Sequence, residues 1–197
     1  TSAAVVVLNA ENGDILAMVG SSDYFDETLD GAVNVAVSAR QPGSSLKPFT
    51  YALALAQGDT AATTVADTEV HLLTEEGNPY TPRNYDYDLH GLVRYREALA
   101  NSYNIAAVKV LEHVGVGRLL NFLRAAGITT LTKEPEFYGL ALTLGSGEVR
   151  LLELAQAYGI FPRAGRTLEV RTLLDDPPAP EGQEIIDPKI AWIITDA

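Results

Sequence analysis

The first twenty residues consist mainly of two apolar segments with a polar turn between them. "AAVVVL" and "ILAMVG" are rich in β-branched and other apolar residues, and the pair Asn12-Gly13 separates them. Asn-Gly is a preferred turn pair because both positions tolerate positive φ. The pattern therefore predicts a β-hairpin over residues 3–19. Apolar residues occupy nearly every position of it, so we expect both faces of these strands to be covered.

The rest of the chain shows mainly helical patterns, separated by polar or proline-rich segments. Leu151, Leu154, Ala155 and Tyr158, for example, recur at the spacing of one helix face. Glycine ends several of these patterns, as it commonly ends helices. The predicted helices are "SSLKPFTYALALAQG", "VRYREALANS", "NIAAVKVLEHVG", "GRLLNFLRAAG", "VRLLELAQAYGIF" and "DPKIAWIITDA". The predicted loops are residues 20–43, residues 74–91 and the segment "DDPPAPEGQ".

No later strand pair is evident to accompany the hairpin, and an isolated hairpin is marginal in water. We therefore expect an α+β fold in which residues 1–197 form the first part of one domain. The remaining strands of its antiparallel sheet are expected beyond residue 197. A fragment ending there is expected to aggregate, because a sheet edge and an apolar face would be exposed.

Composition excludes several classes of function. The 197 residues are 47% apolar and 20% charged, which is ordinary for a globular protein. A net charge of −12 argues against nucleic acid and anionic lipid as partners. The chain has no run long enough to span a membrane, no opening signal peptide, and no cysteine for disulfides or thiolate metal sites.

The residues that commonly bind metals show no ligand spacing. His71, His90 and His113 lie far apart, and we interpret each as a hydrogen-bonded or solvent-facing side chain. We therefore expect no metal and no cofactor. A cluster of acidic residues in the predicted loop 20–43 indicates a solvated surface. The alternative is a calcium site, although the EF-hand pattern is absent. The cluster consists of Asp23, Asp26, Glu27 and Asp30.

The segment "ARQPGSSLKPFTYALALAQG" places Ser44 three residues before Lys47 at a predicted helix start. A serine hydroxyl needs a base to become a good nucleophile, and neither a G-x-S-x-G elbow nor a partner histidine is evident. Two side chains at i and i+3 can meet on a helix, and burial lowers the pKa of a lysine. The backbone N–H groups of a helix start can also stabilise an oxyanion. The alternative is an N-cap serine followed by a solvent-exposed lysine.

A second candidate segment, "REALANSYNIAAVKVLEHVG", contains Ser102 and Asn104 between two predicted helices. As a chemical site, Ser102 would relay a proton between Lys47 and a leaving group. Asn104 would hydrogen-bond the lysine and a substrate amide. The alternative is that one of the two residues caps the next helix. The order Ser-x-x-Lys followed by Ser-x-Asn is, however, the order used by one superfamily of serine acyltransferases.

Taken together, these segments resemble the transpeptidase domain of class A penicillin-binding proteins, most of all the 1C type. The resemblance is carried by "VVVLNAENGDILAMVGSSDYFD", "RQPGSSLKPFTYALALAQG", "YTPRNYDYDLHGLVRYREALANSYNIAAVKVLE", "YGLALTLGSGEVRLLELAQAYGIF" and "DPKIAWIITD". It covers nearly the whole chain. It implies the fold of penicillin-binding proteins and serine β-lactamases, with Ser44 acylated, Lys47 as its base, and Ser102 and Asn104 as the second motif.

The resemblance also implies a substrate, a location and partners. The expected activity is a D,D-transpeptidase that cross-links peptidoglycan stem peptides ending in D-Ala-D-Ala through a serine acyl-enzyme, and that β-lactam antibiotics inhibit. The full-length protein is expected at the extracytoplasmic face of the bacterial membrane, with a membrane anchor and a glycosyltransferase domain. The family's third motif, Lys-Thr-Gly or Lys-Ser-Gly, does not occur in this sequence. Its strand is expected beyond residue 197.

Other functions on the same fold stay open at this point. A serine β-lactamase would need a carboxylate that holds a deacylating water, and Glu134 and Glu136 are more readily interpreted as solvated residues of a surface loop. A D,D-carboxypeptidase would use the same acyl-enzyme with water as acceptor. A non-catalytic penicillin-binding or sensor domain would retain the fold without acylation of Ser44.

Overall fold

The computed structural model describes residues 3–73, 79–173 and 181–197, together with residues 175 and 177. Its strands are β1 (Val5–Leu8), β2 (Ile15–Val19), β3 (Thr64–Asp67), β4 (Leu72–Leu73), β5 (Pro79–Tyr80) and β6 (Gly91–Arg94). Its α-helices are α1 (Lys47–Ala56), α2 (Tyr95–Ala100), α3 (Asn104–Val114), α4 (Val116–Ala125), α5 (Pro135–Tyr138), α6 (Leu151–Tyr158) and α7 (Pro188–Asp196). Four 3₁₀ turns are Glu27–Leu29, Val35–Val37, Gly43–Leu46 and Gly139–Leu144.

The predicted hairpin is present, but its connection differs from the predicted two-residue turn. β1 and β2 pair antiparallel, and Leu8 opposite Ile15 is the last pair, which leaves residues 9–14 as the loop. Gly13 has a positive φ of 79°, whereas Asn12 does not. A Cβ on Gly13 would lie 1.8 Å from the Glu169 carbonyl oxygen. The loop thus combines a local turn, in which the Gly13 N–H donates to the Asn9 carbonyl at 2.8 Å, with close packing against a distant segment.

One face of the hairpin packs on the protein and the other is exposed. β1 contacts α6, while Val5 and Val7 are 53% and 43% exposed and Leu16 is 63% exposed. The described residues cover only one face of the hairpin, and coverage of the other face stays a prediction. Completion of this sheet by later strands stays a prediction.

Two further strand pairs occur after the hairpin, where no strand pair was evident in the sequence, although neither of them joins the sheet of the hairpin. β3 pairs antiparallel with β6, and β4 pairs antiparallel with β5. The strands have only four and two residues, too few to show a two-residue period. Part of the predicted loop 74–91 is therefore strand, and residues 74–78 of it lie outside the described residues.

The helices follow the predicted segments closely. α1, α3 and α4 end within two residues of Gly58, Gly115 and Gly127, the predicted stops. The segment around Ser44 is different, because it forms a 3₁₀ turn and the α-helix begins only at Lys47. Pro48 lies in the first turn of α1, where no backbone donor is required.

α1 is the central element of the core. Leu46, Phe49 and Ala52 are completely buried, and α1 packs against α3, α4, α7 and the 3₁₀ turn Gly139–Leu144. The Phe49 ring contacts the rings of Phe122, Tyr158 and Phe161. Burial of one such side chain contributes roughly 1.5–3 kcal/mol to stability. The helix that carries Lys47 is thus fixed on all its apolar sides.

The acidic residues of the segment 20–43 serve local turns. The Asp23 carboxylate accepts a hydrogen bond from the Phe25 N–H at 2.9 Å, and Asp26 accepts one from the Thr28 N–H at 2.8 Å. Within the described ranges no group of three or more His, Asp or Glu side chains could hold a metal ion. In the same part of the chain, none of the helices has the length and hydropathy needed to span a bilayer.

Candidate active site

Lys47 lies at the junction of the two candidate segments. Its side chain is 1% exposed, and its Nζ donates to the Ser102 carbonyl at 2.6 Å and the Ser102 hydroxyl at 3.0 Å. It also donates to Asn104 Oδ1 at 2.6 Å. The structure thus brings together three of the four predicted site residues, and the interpretation of Lys47 as a solvent-exposed lysine is wrong.

Burial makes the Lys47 amine easier to deprotonate than that of an ordinary lysine. Burial lowers the pKa of Lys47 from its ordinary value of 10.5 to about 8. Each of its three hydrogen-bond partners is an uncharged oxygen of Ser102 or Asn104. An ammonium uses all three protons on these acceptors, whereas a neutral amine has a lone pair that can accept the Ser102 hydroxyl proton. Lys47 and Ser102 can therefore exchange a proton directly.

Ser44 is exposed on the 3₁₀ turn that leads into α1. The Lys47 N–H donates to the Ser44 carbonyl, so that the two residues are one turn apart. Across residues 3–73, 79–173 and 181–197, the Ser44 hydroxyl has no hydrogen bond, and none joins it to Lys47 Nζ. Catalytic hydrogen bonds are often formed only when substrate is bound. The hydroxyl is accessible to a substrate and lies directly before the lysine-bearing helix.

Backbone packing holds the turn that carries Ser44. Gly43 has a φ of 59°, and a Cβ placed on Gly145 would lie 2.2 Å from the Gly43 nitrogen. A side chain at Gly145 would therefore displace the turn, whereas one at Gly43 would meet no atom within 4 Å and would only strain the left-handed backbone. The Tyr158 hydroxyl donates to the Ser45 carbonyl at 2.8 Å. Gly145 and Tyr158 were not predicted as site residues, since neither carries chemistry that its sequence position reveals.

The turn with Ser102 and Asn104 has an unusual backbone. Ser102 has a φ of 57°, which is uncommon for a residue other than glycine, and α3 begins at Asn104. The Asn104 Nδ2 donates to the Arg83 carbonyl at 2.8 Å, and its Oδ1 accepts from Lys47. Both ends of the Asn104 amide are thus fixed. In this turn the carbonyl and the hydroxyl of Ser102 both face Lys47 Nζ and accept its hydrogen bonds.

A group of buried polar residues behind this turn was missed by the sequence analysis. Asn84 and Asp67 are 4% and 0% exposed and hydrogen-bond each other at 2.7 Å. His90 Nδ1 lies 2.6 Å from the same Asp67 oxygen, and the His90 ring stacks on Tyr103. The only available signal was the polar string "NYDYDLHG" in the predicted loop 74–91.

An open groove runs beside Asn104. Its volume is about 720 Å³, and Arg83, Tyr85, Tyr87 and Leu144 line it with Asn104. Tyr85 is 97% exposed and Tyr87 is 77% exposed. The groove thus gives access to Asn104 along aromatic side chains.

Glu134 and Glu136, the carboxylates considered for a deacylating water, lie at the start of α5. Both side chains are exposed. They fit the interpretation as solvated residues, and neither forms an ion pair with a residue of the described ranges.

The chain is similar to known sequences over nearly its whole length. Residues 3–197 match the family model described as the penicillin-binding protein transpeptidase domain. The chain is 36% identical over 164 residues to penicillin-binding protein 1A of Neisseria meningitidis serogroup A, covering 82% of this chain and 20% of that protein. It is 33% identical over 194 residues to penicillin-binding protein 1C of Escherichia coli, covering 98% of this chain and 24% of that protein. The chain thus spans between a fifth and a quarter of these relatives.

Two solved structures share the architecture. Penicillin-binding protein 1A from Haemophilus influenzae superposes with a TM-score of 0.83 at 26% identity, covering 98% of this chain and 34% of that chain. The transpeptidase domain of penicillin-binding protein 3 from Burkholderia pseudomallei superposes with a TM-score of 0.76 at 21% identity, covering 100% of this chain and 61% of that chain.

Proposed function

We propose that Ser44 is the nucleophile of a D,D-transpeptidase. The premise is that this chain belongs to the transpeptidase family of class A penicillin-binding proteins. The observation that carries the proposal is the buried Lys47, with a pKa lowered to about 8 and with hydrogen bonds to Ser102 and Asn104. A base of this kind, one turn after an exposed serine, suits acyl transfer at neutral pH.

In the proposed acylation step the Ser44 oxygen attacks the penultimate carbonyl of a stem peptide ending in D-Ala-D-Ala. A C–O bond forms, the C–N bond to the last D-Ala breaks, and the serine proton passes to neutral Lys47. Ser102, within hydrogen-bond distance of Lys47 Nζ, relays a proton to the leaving amine. Asn104 holds the lysine through Oδ1, and its amide would also contact the substrate backbone.

The second half-reaction transfers the acyl group to the amine of another stem peptide, which releases Ser44 and forms the cross-link. Ser102 would then accept the proton of the attacking amine, and Lys47 would return a proton to the Ser44 oxygen as it leaves. A β-lactam would acylate Ser44 in the same way, because its ring amide presents an equivalent carbonyl, and would remain attached.

The location and the wider assembly are part of the same proposal. We infer that the full-length protein acts at the extracytoplasmic face of the bacterial membrane, with a membrane anchor and a glycosyltransferase domain. Membership of class A supports this inference. The net charge of −12 supports a peptide substrate rather than a nucleic acid.

The experiment is covalent labelling of the full-length protein with a fluorescent penicillin, followed by peptide mapping. We expect one equivalent to attach rapidly to Ser44 and to be released slowly. Ser44→Ala should abolish labelling, and Ser45→Ala, the matched control on the neighbouring serine, should retain it. An adduct on Ser45 would contradict the assignment, rapid turnover would identify a β-lactamase, and absence of labelling would favour a non-catalytic domain.

A further inference from the structure

The geometry points to Asp67 and Asn84 as positioning residues, which hold the start of α3, and with it Ser102 and Asn104, against Lys47. Neither residue contacts Lys47 itself. The inference rests on the proposed function, because it assigns a role to residues that support the second motif.

Asn84 joins the start of α3 to Asp67 through both ends of its amide. Its Oδ1 accepts from the backbone N–H of Asn104 at 2.8 Å and of Ile105 at 3.3 Å. Its Nδ2 donates to Asp67 Oδ2 at 2.7 Å and to the Asp88 carbonyl at 2.9 Å. The residue before α3, Tyr103, provides no side-chain cap. A residue twenty positions away thus supplies the acceptor that an N-cap side chain usually gives.

Asp67 is fully buried and accepts hydrogen bonds from the loop of residues 81–90, between β5 and β6. Its Oδ2 accepts from Asn84 Nδ2, from the His90 N–H at 3.0 Å and from the His90 ring at 2.6 Å. A buried carboxylate is tolerated only where hydrogen bonds and positive charge compensate for lost hydration. Here all three donors lie on that one loop and reach Oδ2, while the buried Oδ1 has no hydrogen-bond partner among the described residues, so the placement of the loop determines how well the Asp67 charge is compensated.

The strand that carries Asp67 is tied to α3 a second time. Lys109, on α3, donates to the carbonyls of Ala66 at 2.7 Å and Thr68 at 3.1 Å, the two residues that flank Asp67. The end of β3 is therefore fixed to the body of α3 by Lys109 and to its first turn by Asn84. This closed set of contacts leaves little freedom for the first turn of α3 to shift relative to β3.

His90 contributes from the other side of the motif. Its ring stacks on the Tyr103 ring with centroids 3.8 Å apart and planes 13° from parallel, and Tyr103 lies between Ser102 and Asn104. The hydrogen bond to Asp67 raises the pKa of His90 above its ordinary value, and Asp86 lies 3.2 Å from the other ring nitrogen. A protonated His90 would balance the Asp67 charge and hold Tyr103 in place.

The second motif tolerates little displacement, although the N–H groups of Ser102 and Tyr103 already tie its backbone to α2. Ser102 is in the left-handed region, and the contact between Lys47 and Asn104 is a short one of 2.6 Å. A displacement of about 1 Å at a catalytic group can slow a reaction by about 10²-fold. The positioning residues should thus affect the rate of acylation much more than the binding of the ligand.

The test measures acylation of the full-length protein by a fluorescent penicillin in a stopped-flow instrument, and separates the dissociation constant of the initial complex from the acylation rate constant. Asn84→Asp keeps an acceptor for the N–H groups of Asn104 and Ile105, but removes the donor to Asp67 and places two carboxylates together. We expect the rate constant to fall at least about tenfold, with the dissociation constant changed less than about twofold.

A double-mutant cycle distinguishes positioning from a general loss of stability. In the Asp67→Asn background the same Asn84→Asp change should slow acylation by a smaller factor, because the charge repulsion is gone. Val114→Ala, at the other end of α3, is the matched control. It should lower the melting temperature without changing the acylation rate constant, since Val114 is buried far along the helix from the motif.

Each outcome separates this inference from the proposed function. Absence of labelling in the wild-type protein would contradict the proposed function, and with it the premise of this inference. If the wild type is labelled, two results would overturn the positioning role alone. One is an unchanged acylation rate constant in Asn84→Asp. The other is that Asn84→Asp slows acylation by the same factor in the wild type and in Asp67→Asn. If Asn84→Asp does not fold, the single variants Asp67→Asn and His90→Gln provide the test. An unchanged acylation rate constant in both of them would overturn the positioning role.

Discussion

The two halves of the candidate site are held in place by different forces. The turn with Ser44 leads into a helix whose apolar side is completely buried, and a close backbone contact between Gly43 and Gly145 fixes it. The turn with Ser102 is held by buried polar groups, of which Asn84 and Asp67 come from other segments. We call the turn with Ser44 the packed half of the site and the turn with Ser102 the polar half. Packing is non-directional and tolerates small shifts, whereas a hydrogen-bond network fixes specific atoms.

This difference indicates a division of labour. Under the proposed function, the nucleophile must be accessible and close to the oxyanion donors, and a rigid turn on a packed helix would suit both needs. The proton-transfer groups must lie within hydrogen-bond distance of one another, which directional contacts provide. Lys47 belongs to both halves, because its backbone begins α1 and its Nζ contacts Ser102 and Asn104.

Replacement of Lys47, the residue that belongs to both halves, should have the largest effect on penicillin labelling. Lys47→Arg retains positive charge, but arginine does not release its proton in proteins, and its larger planar group does not fit a site that is 1% exposed. We expect penicillin labelling of the full-length protein to become undetectable. Lys189→Arg, an exposed lysine on α7, is the control and should label normally. Labelling of Lys47→Arg at the wild-type rate would remove the lysine base from the mechanism.

Substitutions in the polar half should have the second largest effect on the rate of acylation. Ser102→Ala and Asn104→Ala each remove a hydrogen-bond partner of Lys47 Nζ, and we expect acylation to slow by about 10²–10⁴-fold, the scale of general acid–base catalysis. The melting temperature should change little, because both side chains lie at the edge of the core. A large loss of stability with unchanged reactivity of the folded protein would show that the residues are helix caps.

A change in the packed half should act through stability first. In Gly145→Ala the new methyl group would overlap the Gly43 nitrogen, at 2.2 Å, and the turn with Ser44 must move. We expect a loss of about 1–3 kcal/mol in stability, together with slower labelling. Gly58→Ala is the control: Gly58 also has positive φ, but nothing lies within 4 Å of a Cβ there. If both variants label equally fast, the Gly43–Gly145 contact has no role in placing Ser44.

The smallest effect is expected from one hydrogen bond in the packed half. Tyr158→Phe removes the donor to the Ser45 carbonyl at 2.8 Å, which contributes about 0.5–1.5 kcal/mol. Labelling should therefore slow by less than about tenfold. Tyr138→Phe loses a comparable contact to the Lys133 N–H and should label like the wild type. A loss in Tyr158→Phe as large as that in Ser102→Ala would show that directional contacts control both halves.

The sequence allowed the packed half to be predicted better than the polar half. Ser44 and Lys47 are local in sequence, and the helices α1, α3, α4, α6 and α7 follow from apolar periodicity and glycine stops. The resemblance to class A penicillin-binding proteins and the α+β fold are confirmed by the relatives and the solved structures. The roles of Ser44, Lys47, Ser102 and Asn104 stay predictions.

What could not be predicted depends on contacts between distant segments. Asp67, Asn84 and His90 are ordinary loop residues in sequence, and only the pairing of β3 with β6 brings Asp67 near the others. The hairpin loop is longer than the predicted two-residue turn, and it packs against Glu169, far along the chain. Local patterns predict local structure, and they do not specify which polar residues meet in the fold.

The pH dependence of Ser44 acylation tests the central claim most directly, since the claim is that a neutral Lys47 accepts the serine proton. Burial lowers the pKa of Lys47 to about 8, so its neutral fraction grows as the pH rises toward this value and levels off above it. The acylation rate constant of the full-length protein, measured from pH 6 to pH 10, should rise about tenfold per pH unit at low pH and level off above about pH 8. A rate that is independent of pH, or that still rises at pH 10 as for an ordinary lysine, would contradict the claim.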